Sequence, residues 1–234
     1  MKLLLMAALG ILFLSVQVHA GENLVLKDQK DKVSYSIGMS IGKTLKGQSV
    51  DVNPDVLTQG IKDTLSGGET LLTDKEMNET LMSLQKEMAA KQAEHLKELG
   101  EKNKKEGEAF LSENKKKEGV VTLPSGLQYK VIKAGTGDAP KDTDTVTVHY
   151  RGTLIDGTEF DSSYKRGQPA TFPVKGVIPG WTEALQIMKV GSKWQLFIPS
   201  NLAYGERGAG RDIGPNATLI FEVELLSIKE TSKP

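Results

Sequence analysis

Cysteine is absent from the 234-residue chain. The protein therefore has no disulfide, no thiol nucleophile and no thiolate metal site, and without a lipobox cysteine we do not expect a lipoprotein. Neither sign of charge is in excess, because 30 Lys and Arg residues balance 30 Asp and Glu residues. A chain of zero net charge offers no general electrostatic attraction to nucleic acid, so we expect no nucleic-acid partner.

Histidine is scarce, and the usual catalytic motifs are missing. His95 and His149 are not spaced as a metal pair, and neither has a serine partner that would suggest a nucleophilic triad. The glycine-rich segment 205–210 matches neither a Walker loop nor a dinucleotide fingerprint. Glu159 and Asp161 lie on one face of a strand-like stretch but lack the second acidic site of a glycosidase. The sequence thus predicts no metal site and no cofactor.

Only one long hydrophobic run occurs, at residues 3–16 behind Lys2. Val18 and Ala20 supply small residues at the −3 and −1 positions of a cleavage site. The pattern predicts a secretory signal peptide at residues 1–20, because the run is short for a bilayer span; the alternative is an uncleaved N-terminal anchor. We expect an exported, periplasmic protein, with association with the outer membrane or the cell surface left open.

Two helices with one apolar stripe each are predicted next. Residues 31–46 place apolar side chains at intervals of four. A second helix begins at Asn53-Pro54, an N-cap followed by proline, and stops at Gly67-Gly68. Helices of this size cannot bury such surface alone. We infer that residues 21–72 form a helical dimerisation domain and that a homodimer forms through residues 31–90.

A third, long helix is predicted from Thr73 to about Glu118. It opens with a capping box that Glu76 completes. Its first half carries an apolar seam that we expect to be buried: Met77, Leu81, Leu84 and Met88. Its second half is dominated by alternating charges and is expected to be mostly solvated. Residues 73–118 are therefore interpreted as a connecting helix whose first half joins the dimer interface.

After residue 119 the sequence pattern changes from long helices to short strands. Strands are predicted at residues 127–133, 145–151, 193–199 and 218–228, with turn signals between them and a short amphipathic helix at residues 181–188. An antiparallel sheet wrapped on one helix is the simplest solution. The sequence predicts an α+β protein whose residues 119–234 form the second domain.

Aromatic residues are few, but five of the thirteen stand at the ends of elements or in turns of this domain. Singly, each is best explained as ordinary core. Their joint occurrence in five short motifs resembles the FKBP-type peptidyl-prolyl cis–trans isomerases over about residues 122–229. The motifs are Val148-His149-Tyr150-Arg151-Gly152, Glu159-Phe160-Asp161-Ser162-Ser163, Val177-Ile178-Pro179-Gly180-Trp181, Leu202-Ala203-Tyr204-Gly205 and Ala217-Thr218-Leu219-Ile220-Phe221.

The preceding helices are similar to the dimerisation domain and long helix of the Mip-like (macrophage infectivity potentiator) group of this family. Three segments carry this second resemblance: Tyr35-Ser36-Ile37-Gly38, Asp51-Val52-Asn53-Pro54 and Gly107-Glu108-Ala109-Phe110-Leu111. Together the two resemblances span essentially the whole chain after the predicted signal.

The resemblance implies a half-wrapped antiparallel sheet around a short helix, with the active cleft between them. Asp161, Tyr204 and the backbone of Ile178 would be catalytic, and Arg166 and Phe172 would support them. The implied substrate-binding residues are Tyr150, Phe160, Val177, Trp181, Ile213 and Phe221. Two positions depart from the family pattern, Ala170 and Ala209, and they leave inhibitor affinity open.

The implied activity is the isomerisation of X–Pro bonds in exported proteins, with no metal and no cofactor. The implied partners are proline-containing polypeptide clients, and macrolide inhibitors of the FK506 and rapamycin type. One alternative is a non-enzymatic periplasmic or surface chaperone that grips clients between the two arms of a dimer. Another is an interaction protein with an inactive pocket, against which the intact aromatic set argues.

Overall fold

A computed structural model describes residues 24–229, so the predicted signal peptide at residues 1–20 lies outside the described residues. Its contacts divide the chain into two compact units, one ending at Met77 and the other beginning at Asn78. The boundary falls inside the longest helix, so most of that helix belongs to the second unit.

The first unit contains helices α1 (Gln29–Gly47) and α2 (Pro54–Ser66). The predicted limits of α2 are confirmed, because the Asn53 side chain caps its N-terminus and Gly67 ends it in the left-handed conformation. Neither helix contains a buried residue in the single chain. Their apolar stripes are exposed, including Val33, Ile37, Val56, Leu57, Ile61 and Leu65.

Helix α3 (Asp74–Asn114) has 41 residues and a length of about 60 Å. The predicted capping box is present, since the Glu76 N–H donates to Thr73 Oγ1 and the Thr73 N–H donates to the Glu76 carboxylate. The helix ends at Asn114, four residues before the predicted limit. Its apolar seam is not buried in the single chain, where Met77 is 43% and Leu81 54% exposed.

The second half of α3 differs from the expectation of a mostly solvated helix, because one of its faces packs against the C-terminal domain. The Phe110 ring lies 5.9 Å from that of Phe197. The Asn114 side chain is buried and donates a 3.0 Å hydrogen bond to Gln128. This face consists of two glycines, two asparagines and one phenylalanine at intervals of three and four: Gly100, Asn103, Gly107, Phe110 and Asn114.

The rest of the second unit contains one antiparallel sheet of seven strands in the order β1-β2-β6-β7-β3-β4, with β5 also paired to β3. The strands are β1 (Val120–Thr122), β2 (Gln128–Lys133), β3 (Thr145–Leu154), β4 (Glu159–Ser162), β5 (Ala170–Pro173), β6 (Lys193–Ile198) and β7 (Leu219–Lys229). The four predicted strands are present as β2, β3, β6 and β7. The short strands β1, β4 and β5 were not predicted as such.

Helix α4 (Pro179–Leu185) packs on the sheet and begins and ends earlier than predicted. Pro179 occupies its first turn, where a missing N–H costs nothing. The core between helix and sheet contains Trp181, Leu185 and Met188 from the helical side. It is completed by the inward residues of the central strands, which alternate along β3 and β7: Val146, Val148, Tyr150, Leu219, Phe221, Val223 and Leu225. The predicted α+β class is confirmed.

Candidate active site

Trp181 is the centre of an aromatic cluster between α4 and the sheet. Its ring meets those of Tyr150 at 5.3 Å and Phe221 at 5.2 Å, both close to perpendicular. Phe172 approaches the same indole at 6.0 Å, and Phe160 meets Phe221 at 5.5 Å, again edge to face. Such pairs stabilise the cluster beyond simple burial. The result is a rigid apolar floor and wall.

Gly152 leaves room for Phe160 and Phe221, two of the three phenylalanines of this cluster, to approach the sheet. It follows Tyr150 on the same face of β3, opposite Phe221 on β7. A Cβ at this position would lie 2.6 Å from the Phe160 ring and 2.7 Å from the Phe221 ring. The Tyr-Arg-Gly motif therefore supplies a core aromatic residue, Tyr150, and a glycine whose missing side chain leaves room for Phe160 and Phe221.

The polar edge of the cluster is built on one carboxylate. Asp161 accepts hydrogen bonds from the Tyr150 hydroxyl on one oxygen and from the Arg166 guanidinium on the other. Arg166 also donates a 2.7 Å hydrogen bond to the Tyr150 hydroxyl and stacks 5.4 Å above the tyrosine ring. Each of the three side chains is thus bonded to the other two.

Burial by itself would raise the pKa of the Asp161 carboxyl. The hydrogen bonds from Tyr150 and Arg166 and the guanidinium charge outweigh it, so that the pKa lies below its usual range. Burial, together with the hydrogen bond to Asp161, raises the pKa of Tyr150. At neutral pH the triad therefore contains a carboxylate, a neutral phenol and a guanidinium.

A cleft of about 560 Å³ opens above this floor. Its far wall is the segment between Tyr204 and Ile213. Gly208 has a φ of +65°, and Ala209 and Ile213 exchange two backbone hydrogen bonds of 2.8 and 3.1 Å. Within residues 24–229, the Tyr204 hydroxyl and the Ile178 N–H have no hydrogen-bond partner. Both groups can bind a ligand that enters the cleft.

All but one of the residues that the sequence analysis proposed for the site line the cleft. Those lining the cleft are Tyr150, Phe160, Asp161, Phe172, Val177, Ile178, Trp181, Tyr204, Ile213 and Phe221. Arg166 does not line it but holds Asp161 and Tyr150. Gly176, Gly210 and Asp212 line the cleft and were not proposed. Gly176 ends a three-residue 3-10 helix and the other two lie between β6 and β7, and in neither place does a periodic pattern mark the side that faces a ligand. In residues 24–229 no group of three acidic or histidine residues could hold a metal ion.

Two family models match the chain. Residues 137–226 match the model described as FKBP-type peptidyl-prolyl cis-trans isomerase, and residues 30–131 match the domain amino terminal to it. The first match includes every residue proposed for the site. The chain belongs to the FKBP-type peptidyl-prolyl cis–trans isomerases. It is therefore an enzyme that interconverts the cis and trans forms of X–Pro bonds, and its substrates contain proline.

Similar proteins cover both parts of this isomerase. The outer membrane protein MIP of Legionella longbeachae is 53% identical over 232 residues, which is 99% of each chain. The peptidyl-prolyl cis-trans isomerase Mip of Coxiella burnetii is 47% identical over 98% of this chain and all of the relative. The crystal structure of FkpA from Escherichia coli is 40% identical and superposes with a TM-score of 0.70 over 88% of this chain. These similarities confirm the Mip-like assignment and favour the isomerase over a non-enzymatic binding protein. Among residues 24–229, no helix is both long enough and apolar enough to cross a bilayer.

Proposed function

We propose that the cleft above Trp181 is where the isomerase binds and twists the X–Pro bond of an exported polypeptide. The observation that carries this proposal is an apolar floor bordered by one ionised carboxylate, each of whose oxygens accepts a hydrogen bond, and by two hydrogen-bonding groups that have no partner among residues 24–229. The proline ring would sit on the Trp181 indole between Tyr150, Phe160 and Phe221. Val177 and Ile213 would contact the neighbouring residues of the substrate.

This arrangement suits a reaction in which no bond is made or broken. The cis and trans forms of an X–Pro bond differ by only about 0.5–1 kcal/mol, whereas the barrier is about 20 kcal/mol because twisting destroys amide resonance. A twisted amide separates less charge than a planar one. Transfer from water into an apolar cleft therefore stabilises the transition state more than the ground state, which is what catalysis requires.

Ile178 and Tyr204 are proposed to hold the carbonyl groups on either side of the twisting bond. Their N–H and O–H groups border the floor on different elements, Ile178 at the N-terminus of α4 and Tyr204 after β6. Asp161 is proposed to act through its field on the rotating carbonyl and by orienting Tyr150. Both of its oxygens are already bonded, so proton transfer is not its role. Phe172 supports the Trp181 ring, and Arg166 keeps the carboxylate ionised and in place.

The proposed function also includes a division of the chain into domains, a homodimer and an exported location. We infer a signal peptide at residues 1–20, a dimerisation domain at 21–72, a connecting helix at 73–118 and an isomerase domain at 119–234. The exposed apolar stripes of α1, α2 and early α3 support a homodimer through residues 31–90. The similarity to the outer membrane protein MIP of Legionella longbeachae supports export, with the periplasm or the outer membrane as the destination. The apolar cleft also fits macrolides of the FK506 and rapamycin type.

The decisive experiment is cis–trans exchange on a Leu-Pro tetrapeptide with the full chain and Asp161→Ala. We expect kcat/KM to fall about tenfold or more, since fixed charges and dipoles near a reacting group contribute strongly in a dry site. Circular dichroism should show an intact fold. Asp138→Ala is the matched control, because that carboxylate is exposed and lies outside the cleft. Unchanged turnover in Asp161→Ala would remove Asp161 from the mechanism.

A further inference from the structure

The far wall of the cleft is held at its base by helix α3. We define the cleft loop as residues 204–216. It carries five of the residues that line the cleft: Tyr204, Ala209, Gly210, Asp212 and Ile213. Little of the loop is in regular structure, so its conformation depends on a few tertiary contacts.

The loop is closed at its base by Asn216. Its N–H donates a 2.8 Å hydrogen bond to the Gly205 carbonyl, which links the two ends of the loop. Asn216 has a φ of +56°, a left-handed conformation that asparagine tolerates better than most residues. Its side-chain amide is therefore directed by an unusual backbone geometry, and it donates a 3.3 Å hydrogen bond to the Gly100 carbonyl of α3.

A second, stronger hydrogen bond joins the same stretch to the same helix. Asn103 on α3 donates from Nδ2 to the Pro215 carbonyl at 2.8 Å. Pro215 is a buried residue between Ile213 and the closing Asn216. The backbone of this stretch also packs closely on the helix. A Cβ at Gly214 would lie 3.0 Å from Leu99 and 3.1 Å from Asn103, and a Cβ at Gly100 would lie 3.1 Å from Pro215.

We propose that Asn103 and Gly100 of α3 are positioning residues of the isomerase, which set the cleft loop and with it the placement of Tyr204 and Ile213. The long helix is thereby part of the catalytic domain's working structure as well as a connector. A change in the helix at residues 99–103 reaches the cleft loop through two hydrogen bonds and through the close packing at Gly214 and Gly100. This inference rests on the proposed role of the cleft.

Two isosteric variants test the proposal in the full chain. Asn103→Leu and Asn103→Asp keep the size of the side chain but remove the N–H donor to Pro215. Gly100→Ala is an independent variant that pushes on Pro215 and keeps the Asn103 donor, although its Cβ would also lie 3.4 Å from Asn216 Nδ2. Lys105→Leu is the matched control, because Lys105 is exposed on α3 and points about 200° away from Asn103 around the helix.

The measurements are kcat/KM on the Leu-Pro tetrapeptide and hydrogen exchange of single backbone N–H groups. Loss of one neutral hydrogen bond should increase exchange at Ile213 and Asn216, and lower kcat/KM, by about three- to tenfold. The Leu225 N–H in the core sheet, bonded to Ser192 at 3.0 Å, should change less. Lys105→Leu should match the wild type in both measurements.

Unchanged exchange at Ile213 and Asn216 would overturn the proposal. So would faster exchange at those sites with unchanged kcat/KM, or a uniform rise that includes Leu225, since either result is what a merely structural contact would give. Failure of the proposed function is distinguishable. It would appear as full turnover in Asp161→Ala, whatever the Asn103 variants do.

Discussion

Gly107 of α3 and Thr218 beside β7 lie so close together that a Cβ on the glycine would stand 2.3 Å from the threonine hydroxyl oxygen. Both residues are buried, so neither has room to move away. The contact explains a glycine in the middle of a helix, where it normally costs about 1 kcal/mol relative to alanine. The glycine allows the helix to dock on the sheet.

Gly107→Ala should therefore lower the free energy of unfolding by about 1–3 kcal/mol, as overpacking of a buried contact does, despite the better helix propensity of alanine. Thermal and urea unfolding measure the change. Gly107→Ala combined with Thr218→Ala should recover much of the loss, because the second change removes the opposing hydroxyl. Glu108→Ala on the exposed side is the control. An unchanged free energy of unfolding in Gly107→Ala would mean that α3 does not pack closely against Thr218.

Removal of Arg166 should raise the pKa of Asp161. Arg166→Leu takes away the positive charge and one of the hydrogen bonds that hold the pKa of Asp161 down. Carboxyl ¹³C NMR across an acid titration measures it directly. Lys189→Leu, which removes an exposed cation elsewhere on the domain, should leave the pKa where it is.

The interaction of Asp161 with Arg166 also predicts that stability depends on pH in the acid range. Because the folded pKa of Asp161 is depressed, its contribution is present above the unfolded value of about 3.9 and is lost as the pH falls through the folded pKa. Below pH 4, the wild-type protein should lose this contribution, and its free energy of unfolding should approach that of Arg166→Leu. The contribution is modest because the Asp161 side chain is 42% exposed. The prediction would be contradicted if the difference in free energy of unfolding between the wild type and Arg166→Leu became larger as the pH falls.

A fragment that begins at residue 119 should have a less stable isomerase domain than the full chain, whereas a fragment that begins at residue 78 should not. The shorter fragment loses the partners of Phe197, Gln128 and Thr218 and exposes surface that α3 covers. We expect the fragment 119–234 to melt several degrees below 78–234 by differential scanning calorimetry, since about 1 kcal/mol corresponds to 4–8 °C in a domain of about 100 residues. Equal melting temperatures would assign α3 to the connector alone.

Ile37→Lys should dissociate the proposed homodimer. Ile37 is 56% exposed in the single chain, and a charge on the stripe would have to be buried unpaired if that stripe forms the interface. Sedimentation at micromolar concentration should show dimers for wild type and monomers for the variant, with tetrapeptide turnover unchanged. Lys43→Glu, an exposed charge reversal on the same helix, is the control. A wild-type monomer would refute the dimer itself.

Tyr204→Phe should lower kcat/KM about three- to tenfold with little effect on stability, because the hydroxyl has no partner within residues 24–229 and the residue is 41% exposed. A matched Tyr164→Phe variant, whose ring lies outside the cleft, should retain full turnover. Wild-type turnover in Tyr204→Phe would withdraw the hydroxyl from the mechanism.

Local signals were sufficient where a few neighbouring residues decide the structure. Asn53-Pro54 and Gly67 determine the ends of α2, and Thr73 with Glu76 determines the start of α3, because each makes its decisive hydrogen bonds or adopts its backbone angle within one turn. The cleft aromatics were predictable for another reason. They are embedded in short motifs whose joint occurrence points to one family, although no single aromatic differs from ordinary core.

The sequence by itself determined the helical first part, the sheet-forming second part, the family and ten of the residues that line the cleft, because periodicity, caps and motifs are local. Only the tertiary structure decided which face of α3 docks, since glycine and asparagine at intervals of three and four look like a solvated surface until a sheet is placed against them. It also decided that Asp161 is held by Tyr150 and Arg166 together. The loop residues Gly210 and Asp212 reach the cleft because Asn103 and Asn216 join the base of their loop to a helix over a hundred residues away in the chain.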